Sequence, residues 1–302
     1  MALHRKRKVS LRDAGTIVGH LDQAPACLLN SHGDVMPAGV QGILHQLFNH
    51  RGGPLDHLTG GDLGGNIGGK NANGHGFIIT RDTRYNHAVQ FSTVFFDLDD
   101  TLYPSASGLW EAIRQRIGVY MHDFVGLSWE EIPELRRKYF EQYGTALRGL
   151  EANYPVRREE YLAFVHDLPL KDYIRPDPSL KSALEGLSAR KLIFTNADSA
   201  HARRVLNALE VADFFDGIVD INAIEPYCKP MPGSFQCALH RAEESDPGRC
   251  VLIDDMLRNT SGAQAIGMRS ILFGTESVQP GADAALKDWT DLPGVLKELE
   301  AG

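Results

Sequence analysis

From about Thr93 onward, short apolar runs alternate with segments whose apolar residues fall at helical spacing. The runs are "TVFFDL", "KLIFTN", "GIVDI", "CVLIDD" and "SILFG". Short unbroken apolar runs of this kind fit strands buried on both faces. Between them, Ala202, Val205, Leu206 and Leu209 fall at i, i+3, i+4 and i+7, as do Phe235, Ala238, Leu239 and Ala242. Strands separated by amphipathic helices predict an α/β fold, a doubly wound (Rossmann-like) parallel sheet with helices on both faces. Such sheets bind ligands at the carboxyl ends of their strands. The polar residues stand there: Asp97 and Asp99 after "TVFF", Thr195 and Asn196 after "KLIF", Asp254 and Asp255 after "CVLI".

One crossover is too long for a single helix, because 97 residues separate Asp97 from Thr195. Leu109, Ile113, Ile117, Tyr120 and Phe124 form one helical stripe. Ile132, Leu135, Tyr139 and Tyr143 form a second, and "REEYLAFVHDL" reads as a third. We therefore expect a helical cap at residues 106–178, inserted after the first strand. Residues 92–105 and 179–302 would form the catalytic core. A cap over the strand ends can exclude water and select substrate.

Residues 1–91 read differently. The first 92 positions hold 15 of the 30 glycines and eight of the 12 histidines, and the first glutamate of the chain is Glu111. A stretch such as "GGDLGGNIGGKNANGHG" buries too little apolar surface to offset its backbone entropy. The expectation is a poorly structured extension, or a start assigned too far upstream, with a boundary near Gln90. Gly64, Gly69 and Lys70 match most of a phosphate-binding loop. Asn71, however, replaces the hydroxyl residue that would hold magnesium, and no strand-then-helix pattern surrounds it.

Charge and composition narrow the function classes. The formal charge is −8, but the first 92 residues carry +3 and the remainder −11. An acidic domain is a poor general binder of nucleic acid, so any phosphate chemistry should be focused at one site. No apolar run approaches the length of a membrane span, and the basic start lacks a following apolar segment. The expected location is therefore the cytoplasm. The four cysteines show no C-x-x-C spacing and so do not read as a zinc framework.

Asp97 and Asp99 sit two apart as the chain leaves a strand, so both point the same way. Paired carboxylates raise each other's pKa unless a cation lies beside them. With Asp254 and Asp255 arriving from another strand end, the cluster calls for a divalent metal, and Mg2+ is the usual one where phosphate is the substrate. A carboxylate so placed can attack phosphorus to give an aspartyl-phosphate. Lys229 would neutralise phosphoryl charge, Asp99 would protonate the leaving oxygen, and the Thr195 hydroxyl would hold phosphoryl oxygens. The plainer alternative is that the aspartates are helix N-caps.

The order "DLDDT" (97–101), "TNAD" (195–198), "KP" (229–230) and "IDD" (253–255) resembles the four motifs of the haloacid dehalogenase superfamily. The resemblance implies Asp97 as nucleophile, Asp99 as general acid and base, and Thr195 and Asn196 at the phosphate. It also implies Lys229 as the residue fixing the nucleophile. The metal would take the Asp97 side chain, the Asp99 backbone carbonyl and Asp255. Where the superfamily often has "GD", this chain has "DD", which leaves Asp254 or Asp255 as the direct ligand; Asp255 is preferred. Asp99 argues against a dehalogenase, since halide departure needs no acid. "YGTALRGL", "FVHDLPL", "TNADSAHARRVL" and "YCKPMPGSF" further resemble the pyrimidine 5′-nucleotidase branch. That implies a small phosphorylated metabolite as partner, a nucleoside monophosphate such as UMP or CMP. Tyr143 and His166 of the cap, with Tyr139 and Thr145, would then contact substrate. The alternatives are a phosphatase or phosphomutase for a sugar phosphate, or a catalytically silent binding module.

Overall fold

In the computed structural model, the described residues run from 91 to 301. Nearly all of the expected extension, with the loop at Gly64–Lys70, lies outside them. Among the described residues, one sheet holds six parallel strands: β1 (Thr93–Phe96), β2 (Arg190–Phe194), β3 (Gly217–Val219), β4 (Cys250–Asp254), β5 (Arg269–Phe273) and β6 (Ala284–Leu286). Their spatial order is β3-β2-β1-β4-β5-β6. All four residues of β1 are buried, as are all five of β4, which is why these strands read as unbroken apolar runs.

The register fixes what the strand ends bring together. Phe96 of β1 lies opposite Ile193 of β2 on one side and Ile253 of β4 on the other. Asp97, one step on, donates its backbone N–H to Ile253 O at 2.9 Å. The chain runs from β1 outward through β2 to β3, then returns to β4 beside β1 and runs the other way. That reversal opens a crevice at the carboxyl ends of β1, β2 and β4.

Between β1 and β2 the chain forms α1 (Leu109–Asp123), α2 (Ile132–Tyr143), α3 (Ala146–Asn153) and α4 (Arg158–Val165), which pack on one another. Helix α5 (Pro178–Gly186) follows and leads into β2. Later come α6 (Ser199–Ala208), α7 (Pro232–Arg241), α8 (Leu257–Ala265) and α9 (Leu292–Ala301). Helix α5 packs on α9, and α7 packs on α8.

The first stripe of the insert is buried from Leu109 to Tyr120, but Phe124 falls at the C-cap and is 63% exposed. Helices α3, α5, α8 and α9 and strand β6 have no counterpart in the sequence pattern, and for α3 and β6 the reason is physical. Helix α3 is eight residues long and carries Gly149 in its middle, where an added Cβ would come within 2.2 Å of the Tyr139 ring. A glycine required for close packing weakens the helical signal it sits in. Strand β6 is a three-residue edge strand, "AAL", too short and too small-sided to show a strand pattern.

Phe235 is fully buried on α7 and meets Phe194 edge-to-face, with ring centroids 5.5 Å apart. Phe235→Ala should cost about 3–5 kcal/mol in denaturant unfolding. A loss below about 1 kcal/mol would show that this face is not core.

Candidate active site

Lys229 is the centre of the crevice. Its side chain is 1% exposed, and its Nζ donates to Asp97 Oδ1 at 2.6 Å and to Asp254 Oδ2 at 2.7 Å. Its backbone is clamped by Asn196, whose Oδ1 accepts from Lys229 N at 2.8 Å and whose Nδ2 donates to Lys229 O at 3.1 Å. Asn196 thus ties the end of β2 to the segment bearing the lysine. Burial alone would lower the Lys229 pKa, but Asp254 and Asp97 overcome it and raise the pKa above the usual lysine value.

Asp254 and Asp255 divide their work. Asp254 is fully buried; beyond Lys229, it accepts from Met256 N at 2.9 Å and from Asn259 Nδ2 at 2.9 and 3.1 Å. Both of its oxygens are therefore engaged by protein donors. Asp255 is half-buried, and a protein side-chain contact of its carboxylate is Thr101 Oγ1, 3.4 Å from Oδ1. The same hydroxyl lies 3.2 Å from Asp97 Oδ2. Burial and the neighbouring Asp254 push the Asp255 carboxyl up to about 7. Burial likewise lifts Asp97 well above the carboxylate range, with Lys229 opposing and Asp254 and Asp255 adding to the rise.

Oxygens of Asp97, Asp254 and Asp255 lie within 4.8 Å of one another. Three carboxylates, when ionised, face a single ammonium, that of Lys229, which bonds Asp97 and Asp254 and leaves the cluster formally short of about two positive charges. The donor set is all oxygen, so it fits a hard divalent cation such as Mg2+. Asp255, with the fewest protein donors on its carboxylate, has the capacity to serve as a ligand.

Asp99 does not join this cluster through its side chain. The two-residue spacing predicts that Asp97 and Asp99 press on each other as a pair. The carboxylates that press on Asp97 are instead Asp254 and Asp255. The strand ends at Phe96, and Asp100 turns the chain with φ 61, so period-two alternation no longer applies. Asp99 Oδ1 accepts from Tyr103 OH at 2.7 Å and pairs with His201 Nε2 at 2.8 Å. Burial would raise the Asp99 carboxyl, but His201, with His166 and Tyr103, holds it below the usual value.

The sequence profile of the haloacid dehalogenase-like hydrolases matches residues 91–267. The chain belongs to this family. A curated relative is phosphate metabolism protein 8 of Saccharomyces cerevisiae, 31% identical over 199 residues, which are 61% of this chain and 62% of the yeast protein. The chain thus spans just under two thirds of that relative's length. A haloacid dehalogenase-type phosphatase from Thermococcus onnurineus matches at 19% identity and TM-score 0.48, covering 68% of this chain and 97% of that one. The hydrolase YfnB from Bacillus subtilis, solved with magnesium bound, matches at 17% identity and TM-score 0.47, covering 68% and 99%.

Thr195 is buried, and its Oγ1 accepts from Ala197 N at 3.0 Å. Tyr143 is half-buried where α2 meets the core, and its carbonyl accepts from Cys228 Sγ at 3.3 Å. Tyr139 is buried against Gly149, and Thr145 caps α3 by accepting from Arg148 N. His166 is buried, with Nδ1 3.0 Å from Asp198 Oδ1. Asp198 also accepts from His201 N and caps α6, so one aspartate after a strand does take the N-cap role.

Sequence reasoning missed Tyr103, His201 and Arg258. Two had a signal: Tyr103 lies four residues after Asp99, and His201 sits three after the Asp198 cap, facing back over the motif. Arg258 had none, since its guanidinium reaches the distant carbonyls of Phe140 at 3.1 Å and Gly144 at 2.6 Å.

Lys229→Met should destabilise the fold by about 3–5 kcal/mol at neutral pH, because it leaves Asp97 and Asp254 buried without their cation. Denaturant unfolding checks this. A neutral effect would mean that the carboxylates are already protonated in the native protein.

Proposed function

We propose that this hydrolase is an Mg2+-dependent phosphomonoesterase that works through an aspartyl-phosphate on Asp97 and acts on pyrimidine nucleoside 5′-monophosphates. The observation that carries the reading is the Lys229 bridge. It fixes one oxygen of Asp97 within a cluster of three carboxylates that could hold a cation, and a cation there would supply the positive charge that a nucleophile meeting a phosphate requires.

An Asp97 carboxylate oxygen attacks phosphorus while the bond to the ester oxygen breaks. Asp99 delivers a proton to that departing oxygen, so an alcohol leaves rather than an alkoxide. The phosphate dianion, arriving beside Asp99, raises the pKa of its carboxyl by like charge, which favours the protonated acid. In the second half, Asp99 takes a proton from water as the water oxygen attacks phosphorus, and the bond to Asp97 breaks. Thr195 and Lys229 hold the phosphoryl oxygens in both steps, with Asn196 holding Lys229. Bound Mg2+ would offset the charge of carboxylates and phosphate together, held by Asp97, Asp255 and the Asp99 carbonyl. Asp254, its oxygens already engaged, would serve as the anchor of Lys229 rather than as a direct ligand.

Residues 92–105 and 179–302 act in this reading as the core, and 106–178 as a cap bearing Tyr143 and His166 toward the substrate. The pyrimidine nucleotide assignment rests on the resemblance of the segments around those residues to the pyrimidine 5′-nucleotidases. The yeast relative's name, which refers to phosphate metabolism, agrees with a phosphate ester as substrate.

Phosphate release measured over nucleotides and sugar phosphates, with and without EDTA, tests the reading. UMP and CMP should exceed sugar phosphates at least about tenfold in kcat/KM, a difference of about 1.4 kcal/mol in the transition state. A sugar phosphate at the head of the series would overturn the nucleotide assignment. EDTA should abolish turnover and excess Mg2+ restore it; full activity in EDTA would remove the metal from the mechanism. Asp97→Asn should lose about a thousandfold or more of kcat. Survival of turnover would show that another residue is the nucleophile.

A further inference from the structure

Asp99 is held from one side only. Tyr103 OH at 2.7 Å and His201 Nε2 at 2.8 Å both engage Oδ1. Neither bonds Oδ2, and the Asp99 side chain keeps 14% of its surface exposed while His201 keeps none. A carboxyl gripped through one oxygen has a fixed plane and one oxygen free to carry a proton.

His201 is placed for this by a chain of contacts. Its ring stacks on His166, with centroids 4.1 Å apart and planes 16° from parallel. His166 is held by Asp198 at 3.0 Å, and its carbonyl accepts from Arg204 Nη1 at 2.8 Å. His166 directly follows α4, so the stack joins the helical insert to the loop after β1. One further detail separates His201 from an ordinary core histidine. Its Nδ1 is buried and has no hydrogen-bond partner. Buried polar atoms are normally satisfied, and leaving one unpaired costs about 1–3 kcal/mol. The imidazole stays where its Nε2 serves Asp99, not where both nitrogens would be satisfied.

Resting on the function proposed above, we propose that His201 is a positioning residue for proton transfer: with Tyr103 it holds Asp99 through Oδ1, leaving Oδ2 to carry the proton to the departing oxygen. The proton moves from Asp99 Oδ2 to the ester oxygen as the phosphorus–oxygen bond breaks. His201 keeps its own proton and touches no substrate.

A structural role and a positioning role separate with the leaving group. An alkoxide leaving from UMP needs the acid, whereas p-nitrophenolate, a weak base, departs without a proton. The ratio kcat/KM covers the steps through departure of the first leaving group, so hydrolysis of the phosphoenzyme does not enter it. Correctly placed acids contribute about a hundredfold or more, so a displaced one should lose a large part of that. His201→Ala should lower kcat/KM for UMP about thirtyfold and for p-nitrophenyl phosphate less than about threefold. His201→Gln, which keeps an N–H donor at similar reach, should recover most of the UMP activity, and Tyr103→Phe should show a weaker loss of the same selectivity.

Equal losses on both substrates, or no loss on either, would overturn the positioning role. Thermal unfolding confirms that each variant is folded. If His201→Ala does not fold, Tyr103→Phe decides: an unchanged substrate ratio overturns the proposal. Wild-type protein that releases no phosphate from either substrate would instead overturn the function on which the proposal rests.

Discussion

The structure depends on one buried ammonium. Lys229 reaches Asp97 and Asp254 at the same time, from a position almost without exposure. Charges at such depth are tolerated only when paired and hydrogen-bonded. Each partner therefore holds the others in place: Asn259 and the Met256 amide fill the remaining capacity of Asp254, Thr101 sits at the second oxygen of Asp97, and Asn196 clamps the lysine backbone. The result is a carboxylate whose orientation is set before any ligand arrives. Preorganisation of this kind is where much of an enzyme's rate enhancement originates.

The sheet is what makes that arrangement reachable. Asp97, one step past β1, and Asp254, at the end of the neighbouring parallel β4, follow the matched register of Phe96 and Ile253, so they come level at the same end of the sheet. Asn196 arrives two residues past β2 on the other side of β1. The helical insert is joined to this crevice at two corners. Arg258, on α8, spans from the insert carbonyls of Phe140 and Gly144 to the Lys229 carbonyl and lies 3.7 Å over the Phe140 ring. Arg204, on α6, holds the carbonyls of His166 and Leu168 at the opposite end. Movement of the insert would therefore be felt at the lysine from one corner and at Asp99 from the other.

Much of this was legible in the chain. Five of the six strands announced themselves as short apolar runs, most cleanly β1 and β4, which are buried throughout. The polar residues that follow them mark the crevice by topology alone. Side-chain direction past a strand end was not legible, because alternation stops when the strand does; Asp99 turned away from Asp97 for that reason. The resemblance prefers Asp255 over Asp254 as the direct ligand, but the contacts of Asp254 with Met256 and Asn259 were not legible in the chain. Helix α3 and strand β6 escaped because a packing glycine and an alanine-rich edge carry almost no periodic signal. Arg258 acts across long sequence separations, and only the folded chain shows its partners.

The most direct measurement is chemical capture of the phosphoryl group on the enzyme. Protein mixed with substrate, quenched in acid within a turnover and reduced with borohydride, would carry homoserine in place of the phosphorylated aspartate. Peptide mass spectrometry should find that change at Asp97 and at no other carboxylate. A reduced residue elsewhere, or a phosphate-releasing enzyme that yields no reduced aspartate at all, would contradict the role assigned to the Lys229-held carboxylate.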